Sequence, residues 1–218
     1  MAHAFNHLEI KHLTFDRVPE VLALDHLCFG GLWTEAGYQR EIDSPNSNLL
    51  ILEASQQNLA KSIQIPHARL QVGPTTAQVN PAALIGLGCV WFVLEEAHIT
   101  ILGIDPHYRH QGLGRLMLIT LLKAAMKRGS EWATLEVRRS NTIAQTLYHR
   151  VGFTVIGQRK RYYPDTNEDA LIFWHRGLQE TSFAEKLATI EQNVYDQIKA
   201  SGWTMQSIFT PSTPHTGQ

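Results

Sequence analysis

The spacing of apolar residues along the chain divides it into helical and extended segments. Apolar positions three and four residues apart predict five helices, over about residues 17–28, 34–43, 112–127, 141–150 and 182–200. Short apolar or alternating runs predict seven strands, over about residues 8–15, 49–54, 83–94, 97–104, 132–137, 153–161 and 170–175. The short Glu95-Glu96 turn predicts that the third and fourth strands form a hairpin. Because helices and strands do not alternate regularly, we expect an α/β (α+β) fold with a mixed sheet.

Two segments interrupt or extend this pattern. Residues 55–80 are rich in Gln, Pro and Thr, which predicts a long inserted loop with room for one strand near residues 68–72. Residues 179–218 begin with an amphipathic helical pattern and end in a Thr-, Pro- and Ser-rich stretch that we expect to be disordered. We therefore expect one domain over residues 1–178 and a C-terminal extension over residues 179–218. The helix is expected to dock on its own domain, because acidic residues outnumber its lysines and suit an anionic membrane surface poorly.

Composition limits the classes of protein to which the chain could belong. With 218 residues, 44% of them hydrophobic and 18% charged, it has the make-up of an ordinary soluble globular protein. Cys28 and Cys89 are its two cysteines, and their spacing predicts neither a disulfide framework nor a metal site. The longest apolar run, residues 81–94, is too short to span a bilayer, and the N-terminus lacks the pattern of a signal peptide. We therefore expect a cytoplasmic protein with no membrane partner.

Charge is distributed unevenly, although the net charge is only −1. Residues 107–176 contain 12 Lys and Arg against 5 Asp and Glu, whereas the rest of the chain contains 7 against 15. This asymmetry indicates that the basic part meets something anionic. A solvated basic face would explain the same distribution.

The segment ILGIDPHYRHQGLGR, residues 101–115, is the most informative stretch of the chain. A strand ends inside it and a helix begins at Gly112, so the first backbone N–H groups of that helix lack intrahelical partners and carry the positive end of the helix dipole. Glycines at 112 and 114 let an anion approach the backbone closely, and Arg109 and Arg115 flank them. The segment therefore predicts a phosphate cradle.

Two common phosphate-binding motifs do not fit this segment. A Walker A loop requires Gly-Lys-Ser/Thr, whereas Gly114 is followed by Arg115. A dinucleotide fingerprint requires a third glycine where this chain has Met117. The remaining pattern, Arg109-x-x-Gly112-x-Gly114, resembles the R/Q-x-x-G-x-G/A signature of GNAT acetyltransferases, in which the loop holds the pyrophosphate of coenzyme A. An ordinary glycine-containing helix start is the alternative.

Further motifs follow in order at short spacing: LEVRRSN from residue 135, LYHRVGF from residue 147, RYYP from residue 161 and EDA from residue 168. Together they resemble the RimI-type branch of the GNAT family, the ribosomal-protein-alanine N-acetyltransferases. The resemblance is dense over residues 96–174, fainter over residues 8–54, and absent from residues 55–80 and 179–218. It implies the GNAT fold, a mixed central sheet flanked by helices, in which acetyl-CoA lies in a V-shaped splay between two central strands.

The resemblance also implies roles for individual residues. Glu136 would deprotonate the incoming amine and Tyr148 would protonate the departing sulfur. Coenzyme A would contact a strand end, the glycine loop and the start and middle of the next helix: Leu102, Gly103, Ile104, Arg109, His110, Gln111, Gly112, Leu113, Gly114, Arg115, Asn141 and Tyr148. The acceptor would contact Trp33, Tyr162 and Tyr163, although Leu32-Trp33-Thr34 departs from the family's F-P-W-S stretch. A glycine at position 103 fits close approach to the strand backbone.

Purely structural roles for four of these residues stay open. Glu136 and Arg138 share a strand face, so they could form a surface ion pair. Tyr148 also fits a half-buried helix aromatic, and Asn141 fits a plain helix N-cap. Trp33 fits a core anchor as well as a substrate contact.

The function that follows is acetyl-CoA-dependent transfer of an acetyl group to an amine. The resemblance implies the N-terminal α-amine of a protein as the acceptor, with a ribosomal protein as one candidate. A lysine side chain or a small-molecule amine is the alternative, because the walls of the groove set the choice. A non-catalytic acyl-CoA-binding protein is a third reading, but it would need neither Glu136 nor Tyr148. Direct binding of nucleic acid is not expected, because the phosphates of coenzyme A account for the basic half.

Overall fold

The computed structural model describes residues 5–56 and 82–205 of the chain. Their strands are β1 (His7–His12), β2 (Ser47–Ser55), β3 (Ala83–Val93), β4 (Glu96–Ile104), β5 (Trp132–Arg138), β6 (Thr154–Tyr163), β7 (Glu168–Arg176) and β8 (Thr204–Met205). Their α-helices are α1 (Val18–Phe29), α2 (Glu35–Asp43), α3 (Leu113–Arg128), α4 (Thr142–Val151) and α5 (Thr181–Ala200). The sequence predicts all of these elements except β8, with boundaries that differ by a few residues. The expected strand near residues 68–72 and the expected disordered end lie outside the described residues.

All eight strands form one sheet in the order β6-β7-β5-β4-β3-β2-β1-β8. Strands β1 to β4 pair in antiparallel fashion, and β3 and β4 form the predicted hairpin. Strands β4 and β5 are parallel, β5, β7 and β6 are again antiparallel, and β8 pairs parallel to β1. The mixed sheet predicted from the irregular order of elements is confirmed.

Helices cover both faces of this sheet. Apolar side chains of α3, α4 and α5 pack on one face in a large core cluster, which includes Met117, Tyr148 and Trp203. The opposite face carries a smaller cluster with α1 and α2, which includes Val21 and Tyr38. The amphipathic pattern of α5 is therefore used to bury its apolar side against the rest of the chain, as predicted.

The centre of the sheet opens between β4 and β5. Their parallel ladder has three residue pairs, and it ends where His98 lies opposite Thr134. In the β3–β4 ladder, Cys89 is opposite Ile101 and the next residue of β3 is opposite Ile99, so Thr100 is an extra residue in β4. Such a bulge reverses which side chains face each layer and increases the local twist. Beyond His98, the edge of β4 that faces β5 has no partner strand among residues 5–56 and 82–205.

The described residues offer neither a membrane-spanning helix nor a metal-binding group of side chains. Within residues 5–56 and 82–205, no helix is both long enough and apolar enough to cross a membrane. The same residues contain no group of three or more His, Cys, Asp or Glu side chains that could hold a metal ion.

Candidate functional site

The glycine loop, residues 109–115, connects β4 to α3 and includes the first turn of that helix. The N-cap of the helix is the glycine at which the sequence predicts its start. Gly112 is the N-cap of α3 and lies in the left-handed region with φ of +89°, and no side chain caps the helix there. His110 also has a positive φ, +65°. With the loop wound in this way, the first N–H groups of α3 have no intrahelical acceptors and point away from the helix. A loop of this shape suits the pyrophosphate of coenzyme A.

The two arginines beside this loop have different neighbours. Arg109 turns back toward the sheet, and its Nε donates to the Ile104 carbonyl at 2.9 Å. Arg115 donates to the side chain of Gln197. Burial and the nearby guanidinium of Arg150 lower the pKa of Arg115. An anion bound here would relieve the repulsion between Arg115 and Arg150, which again suits the phosphates of coenzyme A.

The strand end predicted to contact the cofactor, Leu102 to Ile104, lies on the open edge of β4. Ile104 is buried and Leu102 is partly buried against the large core cluster, so their side chains are used in the core. The need for a glycine at position 103 is explained by the packing of α1 rather than by the cofactor. A Cβ there would lie 2.6 Å from the ring of Phe29 at the end of α1. The close approach to Gly103 is therefore made by α1.

Tyr148 is a residue of α4 and lies in the large core cluster. Only 6% of the residue is exposed, and its ring packs on those of Phe153 and Phe173. Burial raises the pKa of the Tyr148 hydroxyl well above its usual value, so the hydroxyl keeps its proton at neutral pH. Asn141 caps the same helix, since its side-chain oxygen accepts from the Ala144 N–H at 3.1 Å. The N-cap role of Asn141 is confirmed, and it does not conflict with a contact to coenzyme A.

Glu136 lies on β5, two residues beyond the point where β4 and β5 stop pairing. Its carboxylate contacts His98 Nε2 at 2.7 Å and Arg159 Nε at 3.0 Å, and its side chain is 9% exposed. These two partners, His98 first, hold the pKa of the carboxyl below its usual range. The ion pair with Arg138 considered from the sequence is not formed, because Arg138 binds Asp165 instead.

Aromatic side chains extend from this carboxylate toward α1 and α2. The ring of His98 meets Trp91 edge-on with centroids 6.2 Å apart, and Trp91 stacks on Trp33 at the same spacing. The buried carboxylate of Asp25 accepts the Trp33 N–H at 2.9 Å, which fixes the turn that carries Trp33. Trp33 also packs on Tyr38, so it is both a core anchor and one end of a line of side chains that reaches Glu136.

The predicted tyrosine pair lies at the other end of this line. Tyr162 is 44% exposed and its ring lies 5.8 Å from the guanidinium of Arg159. Tyr163 is half-buried, holds Arg138 over its ring at 3.9 Å, and has its pKa raised by burial to about 12. The fold thus brings Trp33, Glu136 and Tyr162 into one line of contacts, although they lie on three distant segments of the chain.

Three residues of this line are absent from the sequence prediction: Trp91, His98 and Arg159. Alternation in β4 places His98 on the face opposite the buried Ala97 and Ile99, which indicates a polar position facing the other layer. Nothing in the sequence says that β5 and β6 bring Glu136 and Arg159 to that position.

Comparison with known proteins identifies the family of this chain. The sequence pattern of the acetyltransferase (GNAT) family matches residues 18–153. A Bacillus subtilis protein described as a putative [ribosomal protein bS18]-alanine N-acetyltransferase is 27% identical over 166 residues, 76% of this chain and 93% of that protein. The Escherichia coli [ribosomal protein bS18]-alanine N-acetyltransferase is 45% identical over 82 residues, which are 37% of this chain and 55% of that enzyme.

A solved structure resembles most of this chain. The crystal structure of the ribosomal-protein-S18-alanine N-acetyltransferase from Escherichia coli superposes with a TM-score of 0.59 and 26% identity, over 78% of this chain and 93% of that one. The glycine loop, the splayed strands and the buried tyrosine therefore lie in a fold shared with an N-acetyltransferase. The chain belongs to the acetyltransferase (GNAT) family and is an N-acetyltransferase that uses acetyl-CoA.

Proposed function

We propose that this enzyme acetylates the N-terminal α-amine of a protein, with a ribosomal protein that begins with alanine as the first candidate. The observation that carries the proposal is the Glu136 carboxylate, which lies where β4 and β5 separate and continues the aromatic line from Trp33 to Tyr162. The relatives from Bacillus subtilis and Escherichia coli, which are described as alanine N-acetyltransferases of ribosomal protein bS18, support the choice of acceptor.

Glu136 and His98 would remove the proton from the incoming ammonium group. A carboxylate with a lowered pKa stays ionised at neutral pH and holds a proton weakly. His98 contacts the same carboxylate at 2.7 Å, and a neutral imidazole ring can accept a proton. The two groups would therefore accept the proton as a pair, while Arg159 keeps the carboxylate in place.

Tyr148 would act on the leaving side. Acetyl-CoA, when bound, supplies the thioester whose acetyl group is transferred. The Tyr148 hydroxyl is protonated at neutral pH, and it would donate its proton to the departing sulfur as the bond between that sulfur and the acetyl carbon breaks. The glycine loop, with Gly112 in the left-handed conformation, would hold the pyrophosphate at the N-terminus of α3.

We expect the acceptor side to favour an extended peptide over a small amine. Trp33 and Tyr162 mark the two ends of the line of contacts, and their aromatic faces would flank the first residues of a peptide. Fixing a peptide at several points raises the effective concentration of its terminal amine at Glu136.

The test is a comparison of three acceptors at saturating acetyl-CoA. The first is a lysine-free peptide with a free N-terminal alanine. The second is the same peptide with its N-terminus blocked and one lysine added. The third is a small polyamine. We expect the free N-terminal peptide to have the highest kcat/KM by about a hundredfold, because only it can place an α-amine at Glu136 while the peptide fills the groove. Thiol release measures the rate and mass spectrometry locates the acetyl group.

Other results would change the proposal in defined ways. Turnover of the lysine peptide or the polyamine without turnover of the N-terminal peptide would reject it and favour the alternative acceptor class. If several N-terminal peptides react but the alanine peptide is not preferred, N-terminal acetylation stands and the choice of first residue is wrong.

A further inference from the structure

The C-terminal extension contacts the glycine loop directly. The side-chain amide of Gln197, near the end of α5, donates from Nε2 to the His110 carbonyl at 3.2 Å. Its oxygen accepts from the guanidinium of Arg115. Trp203, between α5 and β8, donates from Nε1 to the Gln111 side-chain oxygen at 2.6 Å. Three neighbouring positions of the loop are therefore held by two residues that follow the last strand of the family motifs.

These two residues are themselves rigidly held. Trp203 is 2% exposed in the large core cluster, and its backbone N–H donates to the Ile198 carbonyl at 3.2 Å. Its ring also packs on Tyr108, just before the loop, with centroids 6.1 Å apart. The side chain of Gln197 lies close over Gly112, where a Cβ would come within 3.3 Å of it. The side chains of Gln197 and Trp203 are therefore both packed against the fold.

Part of this chain lies beyond the fold that it shares with its relatives. The family pattern ends at residue 153, and the Escherichia coli structure covers 93% of its own chain but 78% of this one. Helix α5 begins at Thr181, beyond the family pattern. Its contacts with the glycine loop are thus not explained by that pattern.

We propose that Gln197 and Trp203 are positioning residues that hold the glycine loop ready for the phosphates of coenzyme A. The inference rests on the assignment of that loop to the cofactor. A loop with positive φ at His110 and Gly112 is costly to order, and fixing it before the ligand arrives removes that cost from binding. Gln197 also fixes the direction of the Arg115 guanidinium while leaving its positive charge uncompensated for an anion.

The test uses the full chain and measures coenzyme A binding by calorimetry, with no acceptor present. Gln197→Met keeps the length of the side chain and removes both hydrogen bonds, and we expect it to raise the Kd about five- to twentyfold. Gln192→Met is the matched control, because Gln192 is exposed on the same helix and contacts only Asp196 among the described hydrogen bonds. It should leave the Kd unchanged.

A second pair of variants tests the other contact. Trp203→Phe removes the Nε1 donor and should raise the Kd about three- to tenfold. Trp132→Phe is its control, since Trp132 begins β5 and its Nε1 faces Glu96, in a different part of the sheet. Amide hydrogen exchange of the apoprotein over residues 109–115 should quicken in Gln197→Met and Trp203→Phe and not in the two controls.

The outcomes separate this inference from the assignment on which it rests. Unchanged Kd and unchanged loop exchange in both Gln197→Met and Trp203→Phe would overturn it, even if the melting temperature falls, because the extension would then stabilise the fold only. If Gly112→Ala also leaves the Kd unchanged, the loop itself does not bind the phosphates and the assignment fails. Weaker binding with kcat unchanged at saturating acetyl-CoA supports the positioning role.

Discussion

The cofactor loop and the acceptor face are built in opposite ways. Residues 109–115 are consecutive, and their expected work is done by backbone N–H groups and by the left-handed Gly112. The acceptor face consists of side chains from separate elements, among them Trp33 before α2, His98 on β4 and Glu136 on β5. The sequence therefore predicts the loop from one short motif, whereas it does not predict most residues of the acceptor face.

The two halves of the site should therefore be sensitive to different kinds of substitution. A backbone site depends on conformation, so it should be most sensitive to residues that change φ or loop order. A side-chain site depends on the chemical identity of each group, so it should be most sensitive to isosteric replacements. The two halves can thus be broken separately.

The largest expected change is a loss of kcat on substitution of Glu136 or Tyr148. Glu136→Gln removes the carboxylate with almost no change in shape, and Tyr148→Phe removes the proton donor. Each should lower kcat about a hundredfold or more. The Kd of coenzyme A should not change with Glu136→Gln, because the glycine loop is intact. Steady-state kinetics and calorimetry on the same preparations measure both quantities.

Glu185→Gln, an exposed position on α5, serves as the control for loss of one negative charge. A Glu136→Gln enzyme that keeps its kcat would show that this carboxylate is only a structural partner of His98 and Arg159.

The next largest expected change is weaker coenzyme A binding on substitution in the glycine loop. Gly112→Ala places a Cβ at φ of +89°, 3.3 Å from Gln197, and should weaken coenzyme A binding about tenfold. Gly129→Ala is a matched control at the other end of α3, with φ of +86° and open space around it. Both variants should lose about 1–2 kcal/mol of unfolding free energy through the left-handed strain. Only Gly112→Ala should affect coenzyme A, and equal Kd values for both variants would contradict the predicted cradle.

The smallest expected effect concerns the pKa of Glu136. His98 is the main cause of its lowered value, so His98→Ala should raise the pKa of this carboxyl toward the ordinary range. A lowered pKa stabilises the fold above the ordinary pKa of the group, and that contribution is lost as the pH falls through the lowered value. The unfolding free energy of His98→Ala should therefore differ less between pH 7 and pH 3 than that of the wild type.

Carbon-13 NMR of the Glu136 carboxyl group measures this shift directly. His12→Ala provides the control, because it removes a histidine from β1, on a different part of the sheet. A Glu136 pKa that is the same in His98→Ala and in the wild type would show that Arg159 alone holds the carboxylate.

The elements of the fold were largely predictable because they depend on local pattern. The helix over Glu35–Asp43 has its N-cap at Thr34, whose hydroxyl accepts from the Gly37 N–H, and α3 ends at a left-handed Gly129. Such signals act within a few residues of the chain. Strand β8 was missed because its two residues carry no periodicity of their own and are ordered by pairing with β1.

Local sequence patterns were sufficient to predict the helices and most strands. The phosphate-binding role of the glycine loop remains a prediction from the sequence, and the roles of Glu136 and Tyr148 are expected from the motif resemblance. The tertiary structure decided which side chains meet: His98 and Arg159 on the Glu136 carboxylate, and Gln197 and Trp203 on the glycine loop. The glycines and arginines of the loop lie close together in the chain, so a short pattern records them. Contacts between distant residues depend on strand order, on the bulge at Thr100 and on the docking of α5, and these arise only when the whole core packs.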